Sequence, residues 1–122
     1  MILADTSVWI DHFRAADPAM FHLLGNGQVL MHPMIVAELA LGSLRDRKRT
    51  LAILDLMKQV RVARLSEVRV LTERHSLYAK GIGLTEAHLL ASCLLTQGTQ
   101  LWTRDGALRK VAQSQGVLAA LT

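Results

Sequence analysis

Apolar residues in this chain fall into short runs and longer helical stripes, and their succession lays out the fold. The opening run Met1-Ile2-Leu3-Ala4 reads as a short buried strand. It stops at Asp5, and Thr6 and Ser7 behind it are good helix N-caps, so the chain turns from strand into helix at a carboxylate. Val8, Trp9 and Ile10 make an amphipathic turn that ends near Arg14. Asp17 and Pro18 then supply a cap and a first helical position, and Gly25-Asn26-Gly27 closes that helix. Gln28 to Met31 is a second strand-like run. Pro33 opens a helix with Ile35, Val36, Leu39 and Ala40 at helical spacing, ended or bent by Gly42-Ser43.

The second half repeats this grammar. Leu44 to Lys58 carries a helical stripe through Leu51, Leu54 and Met57, with Arg45, Arg47, Lys48 and Arg49 crowded at its start. Val60 to Leu65 reads as an edge strand or an extended link, and Ser66 begins a helix expected to run to about Ala79. Lys80 to Gly83 breaks the chain, and Thr85 is the expected cap of a helix from Glu86 to Leu95. Gln100 to Thr103 reads as the next strand, with Asp105 just past its end. A helix to Ser114, Gly116 and a final Val117-Leu118 strand complete the pattern. Strands alternating with helices in this order predict an α/β sandwich with a mostly parallel sheet and right-handed crossovers.

Composition narrows the class. A length of 122 residues suits one domain spanning 1–122, and 51% hydrophobic with 20% charged residues is an ordinary globular mixture. No signal-peptide pattern opens the chain and no run approaches a membrane span, so the expected location is the cytoplasm. A single cysteine, Cys93, excludes an internal disulfide and cannot build a thiolate zinc site alone. The formal net charge of +4 favours polyanionic partners. The histidines His12, His22, His32, His75 and His88 show no metal-ligand spacing, and neither Ser7 nor Ser92 lies in a nucleophile elbow. Trp9 and Trp102 sit in apolar runs and are expected in the core.

The acids carry the chemistry. Asp5 and Asp105 each follow a strand, where ligands gather in parallel sheets. Glu38 and Glu86 lie in otherwise apolar stretches, IVAELALG and LTEAHLLASCLL. Singly, Glu38 is explained by a solvent-facing position and Glu86 by a preference for a helix N-terminus. If the sheet brings all four together, their repulsion is relieved by a cation, and an all-oxygen set suits a hard ion, Mg²⁺ or Mn²⁺. The chemistry implied is metal-assisted hydrolysis of a phosphodiester. Arg14, Arg45, Arg47, Arg49, Arg104 and Arg109 are the candidate phosphate contacts, Arg104 foremost because it adjoins Asp105.

DTSVWID at the N-terminus, VAEL around Glu38, IGLTEAHLLAS around Glu86 and LWTRD at Asp105 resemble, in order and spacing, the acidic motifs of PIN-domain ribonucleases, most nearly the VapC-type toxins. The resemblance covers essentially the whole chain. It implies a three-layer α/β/α nuclease of RNA, usually homodimeric, held inactive by a cognate antitoxin. It implies Asp5, Glu38, Glu86 and Asp105 as catalytic acids and metal ligands, with Thr103, and Thr6 beside Asp5, as the hydroxyls that order the site. Glu86 departs from the family, which more usually has aspartate there; the extra methylene moves the oxygens. A second reading therefore keeps the fold but expects an impaired module that binds RNA or a protein partner.

Overall fold

The computed structural model describes residues 1–122 and contains a three-stranded parallel sheet flanked by seven helices. In chain order these are β1 (Ile2–Ala4), α1 (Thr6–Arg14), α2 (Pro18–Gly25), β2 (Val29–Leu30), α3 (Pro33–Leu41) and α4 (Arg47–Leu56). They are followed by α5 (Leu65–Arg74), α6 (Leu84–Leu95), β3 (Gln100–Trp102) and α7 (Gly106–Ser114). The sheet order is β2-β1-β3, which puts the first strand at the centre. Leu3 pairs in register with Leu30 on one side and Leu101 on the other. β1 and β2 are continuous apolar runs, and β3 is apolar after Gln100, rather than alternations, because helices cover both faces. Leu3 and Ala4 are completely buried.

The main core gathers the sheet with Val8, Met20, Ile35, Leu54, Leu89, Leu90, Leu108 and Trp102. Trp9 and Trp102 both lie inside it, as their apolar settings predict. Ala63, Val68, Leu71, Ala87 and Ala91 form a smaller cluster that packs α5 on α6. No helix is long and apolar enough to cross a membrane.

Four local features differ from the sequence reading. Asp5, rather than Thr6 or Ser7, is the N-cap of α1. The helix expected from Ser66 to Ala79 stops at Arg74, because Ser76 adopts the left-handed region (φ 52°) and Leu77 N–H donates to the Thr72 carbonyl, a Schellman ending built without glycine. Helix α6 starts at Leu84 with Gly83 as its cap, two residues ahead of the Thr85 cap expected. The final Val117-Leu118 strand is reduced to one bridge between Leu118 and Leu101. Of the two alternatives for Val60 to Leu65 the structure takes the extended link, anchored to the sheet beside the Gln59–Met31 bridge by Val60 N–H donating to the Met31 carbonyl at 2.9 Å.

Candidate active site

β1 is the central strand, and Asp5 hangs from its carboxyl end. Extended backbone at Asp5 (φ −67°, ψ 162°) lets its side chain fold over the first turn of α1. Thr6 N–H donates to Oδ1 at 2.7 Å, the Ser7 hydroxyl to Oδ2 at 3.2 Å and the Thr103 hydroxyl to Oδ2 at 2.7 Å. Asp5 is 7% exposed, and every partner is a neutral donor. The ion pairs of the molecule lie elsewhere, on Glu67, Asp11 and Asp17. A buried carboxylate without countercharge is costly, and this one is retained at the site where the sheet opens.

Two hydroxyls tie further acids to it. The Thr6 hydroxyl donates to Glu38 Oε1 at 2.9 Å, joining α1 to the half-buried acid of α3. Thr103 Oγ1, completely buried, also accepts the Asp105 N–H at 3.1 Å. Asp105 itself is exposed and caps α7, its Oδ1 accepting Leu108 N–H at 2.9 Å. Glu86 stands apart from this network. It occupies the first turn of α6, with Oε2 lying over Gly83. As the side chains stand, no three of the acids approach closely enough to hold one metal ion.

The donor set nevertheless has the chemistry of a hard-cation site. It contains only carboxylate and hydroxyl oxygens, no thiolate and no imidazole, and its innermost member has neutral donors but no cationic side chain as partner.

The six arginines divide. Arg104 is spent within the chain: Nη1 donates to Asp11 at 2.7 Å, Nη2 to Asp17 at 2.6 Å and Nε to the Thr122 carbonyl at 2.9 Å. Its guanidinium also stacks 5.4 Å from the Trp102 ring centroid. Its hydrogen bond holds the Asp17 carboxyl below the usual carboxylate range. Arg109 donates to the Thr103 and Leu121 carbonyls. Arg47 donates to the Ala40 and Gly42 carbonyls and so closes the end of α3. Arg14, Arg45 and Arg49 instead line an open groove of about 1100 Å³ between α1, α3 and α4, together with Ile10, Phe13 and Glu38.

Two residues of the site neighbourhood escaped the sequence reading. Ser7 links Asp5 to the opposite loop, since its hydroxyl also accepts Arg104 N–H at 3.3 Å. The string Asp-Thr-Ser at a strand end was the available signal, for it sets hydroxyls within the turn the carboxylate caps. His32 caps α3, its Nδ1 accepting Met34 N–H at 3.0 Å, and burial first and the neighbouring His88 second push it down to about 4. Nothing in the pattern marked a histidine as that cap.

An α/β protein with a buried acid at the centre of a short parallel sheet, ringed by hydroxyls from both neighbouring segments, is defined by these contacts. The PIN domain matches residues 2–114, and the chain belongs to the PIN-domain family. It is 43% identical over 120 residues, 98% of its own length and 97% of the relative's, to Ribonuclease VapC32 of Mycobacterium tuberculosis, in each of two strains.

Proposed function

We propose that this chain is a Mg²⁺- or Mn²⁺-dependent endoribonuclease that hydrolyses RNA phosphodiester bonds and acts in the cytoplasm as the toxin of a toxin/antitoxin pair. The observation that carries it is the buried Asp5 carboxylate, which has no cationic partner and is joined by Thr103 to Asp105 and by Thr6 to Glu38 at one end of the sheet. Family membership and the name of the mycobacterial relatives support the same reading.

Asp5 and Glu38 would hold the cation, with Asp105 and Glu86 completing the acid set. Bound there, the cation supplies positive charge for the phosphoryl group and acidity for an attacking water. The chain's own part is positioning. Thr103 and Ser7 hold Asp5 Oδ2, leaving the orientation of that carboxylate to the sheet rather than to solvent. Arg14, Arg45 and Arg49 offer positive charge along the groove that reaches Glu38, suited to an RNA backbone on its way to the acids. The same groove carries the exposed Ile10, Phe13 and Ile53, surface for an antitoxin segment, while a second copy of the chain remains the expected partner of a homodimer.

Replacing Asp5 by alanine tests the proposal: Mn²⁺-dependent RNA cleavage is expected to vanish with the fold retained, and undiminished cleavage by a folded variant would refute it. One observation favours the second reading, an impaired module that binds RNA or protein, because Glu86 lies outside the hydroxyl network. Under that reading the natural protein is inert with metal, and the absence of metal-dependent cleavage of any RNA in Glu86→Asp as well favours it.

A further inference from the structure

We propose that Gly83 is the seat of the Glu86 carboxylate, so that glutamate at this position depends on the absence of a side chain three residues earlier. Backbone conformation does not demand the glycine. With φ −90° and ψ −176°, residue 83 is extended and open to any amino acid. Space demands it. A Cβ at residue 83 falls 2.8 Å from Glu86 Oε2 and 3.8 Å from its Cδ, and no backbone atom lies within the same reach. Restoring an ordinary 3.4 Å contact requires the carboxylate to retreat by at least about 0.6 Å. The conflict therefore falls on the free end of a flexible side chain while the start of α6 is left in place.

Its bearing on catalysis rests on the nuclease reading. Glutamate reaches one methylene beyond the aspartate more usual in the family, and the bare Cα of Gly83 is where that extra reach comes to rest. An ion that demands near-octahedral ligands is sensitive to such a displacement. Gly83 is then a positioning residue, acting on the reaction only through Glu86. An aspartate at 86, being shorter, does not extend over residue 83 and has no need of the glycine.

The experiment compares Gly83→Ala and Gly83→Ser in the natural chain and in Glu86→Asp. Serine is the stability control, because it is the better N-cap and still carries the Cβ. Metal-free crystal structures are expected to show the Glu86 carboxylate displaced by at least about 0.6 Å over an unmoved α6. Mn²⁺ titration followed by electron paramagnetic resonance is expected to show affinity reduced about tenfold. In Glu86→Asp, adding either substitution is expected to change affinity by less than about twofold. A carboxylate that stays in place overturns the proposal, as does an equal loss of affinity in the Glu86→Asp background, which would assign the effect to the backbone. A natural chain that takes up no Mn²⁺ while its carboxylate moves as expected overturns the metal reading instead and leaves the dependence of Glu86 on Gly83 standing.

Discussion

The Thr103 hydroxyl donates to Asp5 Oδ2 at 2.7 Å across 98 positions of sequence, and the same oxygen accepts the N–H of Asp105. One buried oxygen thus fixes both strand-end acids. Thr103→Val keeps the shape and removes the hydroxyl. It is expected to lower metal-dependent cleavage about 10- to 100-fold and stability by about 1 to 3 kcal/mol, while Thr103→Ser retains most of both. Cleavage rates and chemical denaturation of the three proteins check this.

Asp5→Asn is expected to separate activity from stability. The amide keeps the size of the acid and removes a buried charge that no cation balances within the chain. Cleavage should be lost while the melting temperature changes little, the relief of the buried charge being offset by an amide NH2 that meets donors where the carboxylate accepted. A fall of several degrees in a scanning calorimeter would show that the carboxylate serves the fold.

Arg104 is expected to behave as a fold residue. Its pairs with Asp11 and Asp17 bind the end of β3 to α1 and to the cap of α2, and its side chain and that of Asp17 are only 26% and 19% exposed. Arg104→Ala should cost about 1 to 3 kcal/mol, more than an ordinary surface pair. Because Arg104 holds the Asp17 carboxyl below 3.8, the pair stabilises fully above that pH and the contribution fades as pH falls through the lowered folded value. The variant should lose that acid-range dependence, and RNA affinity at fixed salt should change little once folding is allowed for.

His32 gives a second pH dependence with its own window. Its folded pKa of about 4 lies below the unfolded 6.5, so the fold favours the neutral ring. Its contribution is complete above about pH 6.5, and as pH falls towards 4 the unfolded chain takes up a proton that the folded chain refuses. The loss is on the order of 3 kcal/mol across the window. His32→Asn retains an acceptor for the Met34 N–H and should flatten the melting temperature between those two pH values.

How much of this was legible in the residues depends on the range of the forces concerned. The strands, α2 and α3 follow from apolar runs and from caps such as Asp17-Pro18, which act within a few residues. The end of α5 was not legible, because Ser76 takes a left-handed conformation that glycine or asparagine usually announces. Val117 and Leu118 have strand composition, yet Leu101 satisfies them with a single bridge. At the site, the positions of the acids in the chain were readable, but their company was not. Arg104 adjoins Asp105 in sequence and still turns away from it, because Asp11 and Asp17 on other helices offer it two carboxylates. That preference exists only once α1 and α2 are folded.

The central place of β1 has a consequence for folding. Asp5 ends the middle strand, and its partner Thr103 lies 98 positions away beside β3. The pocket therefore closes only when this long-range pairing forms, and bringing together segments so far apart carries a loop-closure cost that local helices do not bear. A chain in which β3 has not docked holds its leading acid unassembled beside an open strand edge.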